Sequence, residues 1–154
     1  MIRTEPSAYR AIRKKLLISC AGAALATAAL APQKVRAQAA PGAFQGTITS
    51  STNASRTSLG AGTETITVTG SNAEIFWNPT GSINQSGNMV FLPAGNTATF
   101  QGDANAGNYT VLNRILPDGN FAIEFDGKVQ SFVNGGTTGG NIWFYAPNGI
   151  VIGS

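Results

Sequence analysis

Asn141-Ile-Trp-Phe-Tyr-Ala-Pro-Asn-Gly-Ile-Val-Ile-Gly153 contains two short apolar runs on either side of a turn. The runs, residues 142–145 and 150–152, have the β-branched and aromatic content that is typical of β-strands. Between them, Ala146-Pro147-Asn148-Gly149 supplies the proline and the Asn-Gly pair that tight turns favour. Because the sequence stops one residue later, we expect an apolar strand edge that either a partner or further chain covers.

The same pattern of short β-rich runs extends back to residue 64, and we find no helix-period stretch after Ala40. In the first run, Glu64-Thr-Ile-Thr-Val-Thr69, the alternation places Ile66 and Val68 on one face. Residues 134–140 are rich in Gly and Thr and predict a flexible loop. Residues 40–61 are rich in Gly, Ser, Thr and Asn, and the pattern does not decide whether they form ordered structure. The predicted strands are residues 64–69, 73–77, 88–92, 97–101, 109–116, 121–125, 129–133, 142–145 and 150–152.

This number of short strands predicts an all-β fold. The possible architectures are a sandwich, a barrel and a β-solenoid. Composition favours the solenoid, because Asn and Gly recur at the turns and charge is sparse. At roughly 20–25 residues per coil, the segment would form about four or five coils. A β-sandwich remains the alternative on pattern alone.

The first 39 residues are predicted to be a secretory signal peptide. Residues 10–15 are basic, residues 16–31 are apolar, and Ala37-Gln38-Ala39 is a small-x-small cleavage site that makes Ala40 the mature N-terminus. The alternatives are an uncleaved anchor, for which the apolar run is short, and a lipoprotein signal at Cys20. Only four residues, three of them apolar, separate Lys15 from Cys20, which is too few for the second alternative.

The positive charge of the whole chain belongs to the predicted leader. Seven of the ten Lys and Arg residues precede Ala40, whereas only one of the seven acidic residues does. The remainder carries three basic and six acidic residues, so its net charge is −3, and no basic stripe points to nucleic acid. It also has no Cys and no His, so we expect no disulfide, no thiolate or imidazole metal site and no cofactor.

From about Glu64 onward the chain resembles the N-terminal secretion domain of filamentous haemagglutinin-like proteins, the exported partners of two-partner secretion systems. The closing segment is similar to the family's Gly-x-Val-x-Leu-Ile-Asn-Pro-Asn-Gly-Ile-x-Phe-Gly signature, with Ala146 where the family has Asn. Four blocks carry the resemblance: Ala73-Glu-Ile-Phe-Trp77, Gly95-Asn-Thr-Ala-Thr-Phe-Gln101, Val111-Leu-Asn-Arg-Ile115 and residues 140–153.

The resemblance implies a right-handed parallel β-helix over residues 64–154, with residues 40–63 as an N-terminal segment or cap. It also implies export through the periplasm by an outer-membrane β-barrel transporter, which recognises this domain. The full protein would then be a secreted or cell-surface adhesin, haemolysin or toxin. We expect it to continue beyond Ser154 and to bind a host-cell or surface glycan or protein through that region.

Six residues in two of these blocks are candidates for transporter recognition, although each also has a purely structural interpretation. Pro147, Asn148 and Gly149 form a turn whatever their function. Asn113 suits a solenoid corner, Arg114 suits a solvated surface, and Trp77 and Trp143 are expected in the core or cap. The candidates are Asn113, Arg114, Pro147, Asn148, Gly149 and Ile150.

Two other functions remain open from the residues alone. A secreted β-helix polysaccharide-active enzyme needs clustered carboxylates. Asp118, Glu124 and Asp126 are close in sequence. However, the alternation of this run places Phe121, Ile123 and Phe125 on the face opposite to Glu124. We therefore assign no catalytic residue. A small secreted binding module is the other alternative, and it predicts a soluble monomer that is complete at Ser154.

Overall fold

The computed structural model describes residues 42–153, apart from the side chain of Ser58. The predicted signal peptide and its cleavage residues Ala37, Ala39 and Ala40 lie outside these residues. Within them every regular element is a strand, so the all-β prediction is confirmed. The strands are β1 (Gly46–Thr52), β2 (Ala54–Gly60), β3 (Thr63–Val68), β4 (Asn72–Pro79), β5 (Met89–Leu92), β6 (Thr97–Gly102), β7 (Thr110–Ile115), β8 (Ile123–Phe125), β9 (Lys128–Val133), β10 (Thr137–Thr138), β11 (Asn141–Tyr145) and β12 (Ile150–Ile152).

The strands form three open sheets, ordered β1-β4-β7-β11, β10-β9-β6-β3-β2 and β12-β8-β5. The chain visits these sheets in three successive rounds, β3-β4-β5, β6-β7-β8 and β9-β11-β12, and equivalent strands of successive rounds pair in parallel. Antiparallel pairs join β1 to β4, β2 to β3, and β10 to β9. The first two sheets are therefore mixed and the third is parallel, whereas the resemblance implied a purely parallel stack beyond residue 63.

Each round uses more chain than the sequence predicted. Paired residues such as Thr63 and Thr97, or Thr110 and Asn141, are 34 and 31 positions apart, rather than roughly 20–25. The loops between strands take up the difference. The described residues consequently form three rounds, not the four or five that we expected.

The alternation of the strands places one face of every sheet in a shared apolar interior. Ile66 and Val68 on β3 are both fully buried, as the sequence predicted, and so is Trp77 on β4. Nine predicted strands lie within one or two residues of their observed positions. β1 and β2 arise in the segment whose order was left open, and β10 arises in the predicted flexible loop.

The interior is organised around Phe44, which lies just before β1 and is fully buried. Its ring centroid is 5.2 Å from that of Trp77 in the first sheet, 6.3 Å from that of Phe100 in the second, and 4.8 Å from that of Phe91 in the third. Phe44 also packs edge-on against Phe144 at 6.0 Å. One side chain from the N-terminal segment therefore contacts all three sheets and reaches the last round.

We predict that Phe44→Ala lowers the free energy of unfolding by about 3–5 kcal/mol, because it leaves a cavity where the three sheets meet. Urea denaturation followed by far-UV circular dichroism measures the change. Leu59→Ala is the control, since Leu59 is half exposed on β2 and its truncation is expected to cost within about 0.5 kcal/mol. Equal losses in the two variants would contradict the central role of Phe44.

Candidate partner-recognition site

Arg114 lies on the outer face of the β1-β4-β7-β11 sheet, because Val111, Asn113 and Ile115 take the inward positions of β7. The strand register aligns Phe76, Arg114 and Tyr145 in one row across β4, β7 and β11. The guanidinium carbon lies 5.7 Å from the centroid of each ring. We call this row the aromatic ladder.

Glu74 neutralises the charge of the aromatic ladder. Arg114 Nε donates a hydrogen bond to Glu74 Oε1 at 2.5 Å, and both side chains are partly exposed. Since solvent screens such a pair, it contributes only about 0–1 kcal/mol to stability. The pair therefore fixes the orientation of the guanidinium between the rings more than it stabilises the fold.

Trp143 also lies on this outer face and is 63% exposed, so the prediction of a core or cap position is wrong for Trp143. On β11 the inward positions belong to Ile142 and Phe144, and the period of two sends Trp143 outward beside Leu112. A shallow depression of about 420 Å³ lies on this face. Its lining residues are Thr52, Asn72, Ala73, Glu74, Thr110, Leu112 and Trp143.

Asn113, the sequence neighbour of Arg114, faces the opposite way and is fully buried. Its side-chain oxygen accepts a hydrogen bond from Trp77 Nε1 at 3.0 Å, and its side-chain nitrogen donates to the Trp143 carbonyl at 3.2 Å. Asn113 thereby joins all three rounds within one sheet. In the folded domain, solvent therefore reaches the side chain of Arg114 but not that of Asn113.

The closing turn (residues 146–149) is exposed at Pro147, Asn148 and Gly149. The Gly149 N–H donates to the Ala146 carbonyl at 3.2 Å, and Gly149 has φ of +94°, which favours glycine. Asn148 Nδ2 donates to the Gly119 carbonyl at 3.2 Å and so attaches the turn to the loop of the preceding round. Ala146 and Ile150 pack against the core. The methyl group of Ala146 therefore takes a packing role.

Among residues 42–153, no strand pairs with the outer edges of the strands on either side of the closing turn. β11 and β12 are the end strands of their sheets, whereas the edge of β9 is partly paired by the two residues of β10. Ile152 is 74% exposed, and residues 129–153 contain no charged side chain. A second depression, of about 440 Å³, opens at this end. Its lining residues are Phe125, Gly127, Val129, Phe144, Ile150 and Ile152. We call the free edges of β11 and β12 the open edge.

The Glu124 carboxylate on β8 is hydrogen-bonded by amide side chains, and Asp126 lies next to it. Glu124 points outward, and one of its side-chain oxygens accepts hydrogen bonds from Asn84 and, at 2.8 Å, from Asn88. Burial raises the pKa of Asp126 above its usual value, and the neighbouring Glu124 carboxylate adds to this effect. Residues 42–153 bring no three His, Cys, Asp or Glu side chains together as a metal site.

A buried carboxylate holds the N-terminal segment in place. Glu64 on β3 accepts hydrogen bonds from the backbone N–H groups of Ala43 at 2.9 Å and Phe44 at 3.1 Å. Arg56 on β2 pairs with it at 3.2 Å and lies 4.9 Å from the centroid of the Trp77 ring. Burial raises the pKa of Glu64, although Arg56 and the two backbone donors oppose this effect. No sequence pattern indicates this contact, because the hydrogen-bond donors are backbone groups.

Of the six candidate residues, the structure brings five to one region. Arg114 contacts Tyr145, which directly precedes the closing turn, and the turn carries Pro147, Asn148 and Gly149 and leads into Ile150. The exposure of Trp143 and Tyr145, the aromatic residues on the outer face of β11, was not predicted. A strict count of alternate positions from Ile142 would have assigned them outward.

No protein-family model matches the chain, and searches of curated proteins and of solved structures give no match. Among the residues that the structure describes, no helix has the length and apolar character needed to cross a membrane.

We predict that Asn113→Ala lowers the free energy of unfolding by about 1–3 kcal/mol, because the buried Trp77 N–H loses its acceptor. Arg114→Ala is the control at the adjacent, exposed position, and we expect a loss of no more than about 1 kcal/mol. Urea denaturation measures both. Adding Trp77→Phe to Asn113→Ala removes the unpaired donor, so the two losses are expected to be less than additive. Strict additivity would contradict the contact.

We predict that stability decreases as pH rises above about 4.5, the ordinary value for Glu64, and levels off above the raised pKa of the folded state. Between the two values the folded chain binds more protons than the unfolded chain, so raising the pH favours unfolding. Glu64→Gln is expected to remove this contribution. Urea denaturation from pH 4 to 8 measures it, with Glu74→Gln as a control for charge removal on the exposed face. A difference between the protein and Glu64→Gln that is independent of pH would refute the assignment.

Proposed function

We propose that this chain is the N-terminal secretion domain of an exported filamentous haemagglutinin-like adhesin. Its partner would be an outer-membrane β-barrel transporter of the two-partner secretion type. The observation that carries the proposal is the closing segment, in which an exposed Pro-Asn-Gly turn joins two strands with free edges. The order of the four sequence blocks and the predicted signal peptide support it.

The proposal includes a right-handed parallel β-helix as the fold of this domain. The three rounds of parallel pairing are what the coils of such a solenoid would produce, because each coil contacts mainly its neighbours. The antiparallel strands β1 and β2, together with the buried Phe44 and Glu64, would form the N-terminal cap. A cap of this kind covers the interior that the first coil would otherwise expose.

We propose that the transporter's periplasmic domains recognise the chain at two stages, before and after this domain folds. While the chain is extended, Asn113 and Arg114 are both accessible. Once the domain folds, Asn113 is buried between Trp77 and the backbone of β11, and Arg114, the closing turn and the open edge remain available. An exposed strand edge offers backbone hydrogen bonds to an incoming strand of the partner. Folding at the cell surface, coil upon coil, would then draw the following chain outward.

We predict that Pro147→Ala combined with Asn148→Ala reduces the amount of protein exported to the medium, because it changes the exposed turn. Secreted protein is measured by immunoblot in a strain that expresses the chain with a two-partner secretion transporter. Gln85→Ala with Ser86→Ala is the matched control, since these residues form an exposed turn away from the closing segment. Thermal unfolding of each purified variant separates a folding defect from a recognition defect. Unchanged export by the closing-turn variant would contradict the proposal.

A further inference from the structure

We propose that Asn134 is a site of spontaneous modification, at which the folded chain converts this asparagine to aspartate and isoaspartate with water as the co-reactant. The sequence contains two Asn-Gly pairs, Asn134-Gly135 and Asn148-Gly149, and their surroundings differ in the folded domain. The reaction takes place within one chain, so it requires neither a partner nor a free strand edge. It is also independent of the proposed export.

The chemistry of an Asn-Gly pair makes its asparagine labile, and asparagine is in any case among the thermolabile residues of proteins. The glycine nitrogen attacks the side-chain carbonyl carbon of the asparagine and closes a succinimide ring. The side-chain nitrogen leaves as ammonia and takes the proton that the glycine N–H gives up. Water then opens the ring, at the side-chain carbonyl to give aspartate or at the backbone carbonyl to give isoaspartate. Glycine favours the attack because it has no Cβ beside the attacking nitrogen.

The hairpin loop between β9 and β10 leaves both reacting groups of the first pair unrestrained. Asn134, Gly135 and Gly136 are exposed and have φ of +48°, +75° and +137°. Within residues 42–153, neither the Asn134 side chain nor the Gly135 N–H takes part in a hydrogen bond. The loop is closed instead by the Gly136 N–H, which donates to the Val133 carbonyl at 3.2 Å. No hydrogen bond therefore has to open before the Gly135 nitrogen attacks.

The closing turn restrains the same two groups in the second pair. Asn148 Nδ2 donates to the Gly119 carbonyl at 3.2 Å, and the Gly149 N–H donates to the Ala146 carbonyl at 3.2 Å. Both hydrogen bonds must open before the Gly149 nitrogen reaches the Asn148 side chain, and opening each one costs free energy. Exposure does not distinguish the two pairs, because both asparagines are exposed. The hydrogen bonds therefore predict that Asn134 reacts first.

Conversion of Asn134 changes the charge of the segment and, for one product, its backbone. Either product adds a negative charge to residues 129–153, which contain no charged side chain before the reaction. Isoaspartate also lengthens the backbone of the loop by a methylene group, because the main chain then runs through the side-chain carbon. Val133 and Thr137 face each other across β9 and β10, and loop length sets the register of a hairpin. We therefore expect isoaspartate, but not aspartate, to detach β10 from β9.

The test follows both Asn-Gly pairs in the purified full chain, incubated at mildly alkaline pH and analysed by peptide mapping with mass spectrometry. Each conversion is detected because an oxygen-containing product replaces the amide and changes the peptide mass. We expect Asn134 to convert about ten- to a hundredfold faster than Asn148 in the folded chain, because only Asn148 must first lose two hydrogen bonds. Concentrated urea unfolds the chain and removes these bonds, so the difference is expected to disappear there.

Three results would overturn the proposal. Asn148 could convert at least as fast as Asn134 in the folded chain. The same preference for Asn134 could persist in urea, which would assign it to the neighbouring residues in sequence and not to the fold. Asn134 could also stay intact in the folded chain over a period in which the unfolded chain converts.

Two variants separate the reaction from its consequence. Asn134→Gln keeps the amide but moves its carbonyl one methylene group further from the Gly135 nitrogen, so we expect no conversion at this position. Asn134→Asp supplies one product directly and is expected to keep β10 in place. The Gly139 N–H donates to the Ser131 carbonyl at 3.1 Å, so its hydrogen exchange reports on β10. We expect this exchange to be at least about tenfold faster in the isoaspartate product than in Asn134→Asp. Equal rates would overturn the detachment of β10.

Discussion

The burial of Phe44 is the interaction on which the rest of this structure depends. Three open sheets meet around an interior that none of them closes alone, and the Phe44 ring is the side chain that contacts all three. Glu64 holds the backbone of Ala43 and Phe44 by two hydrogen bonds, and Arg56 partly compensates the buried charge. The N-terminal segment is therefore fixed by polar contacts so that one apolar side chain reaches the centre.

The sequence predicted the strands of the three rounds well. It did not predict that the N-terminal segment covers their shared interior through Phe44. Alternation correctly identifies Ile66 and Val68 as buried, because which side of a strand a residue faces depends only on its neighbours in sequence. Phe44 stands alone in a Gly-, Ser- and Thr-rich segment, and its burial follows from contacts with residues up to a hundred positions away. The longer rounds were missed for a similar reason, because loop length does not change the pattern within a strand.

The role of the candidate residues in recognition stays a prediction, but their exposure can be compared with the sequence. The closing turn is exposed and Arg114 is partly exposed, while Asn113 is buried by the alternation that exposes its neighbour. Trp143 was predicted in the core or cap, yet the strand register places it on the outer face of the sheet. Adjacent residues of one sequence motif thus have different roles in the folded domain, where Asn113 connects the rounds and Arg114 orders the surface.

The spacing between paired strands has a consequence for how the chain shortens on folding. Closing a loop of about 30 residues costs roughly 3 kcal/mol of chain entropy, and no parallel pair forms before its loop closes. A round is therefore gained or lost as a unit. About 30 residues of extended chain span roughly 100 Å, whereas one round adds only about 4.8 Å along the stack. In the proposed export, a chain that folds after leaving a pore would thus take up roughly twenty times more length than the stack gains, and each completed round would oppose backward sliding.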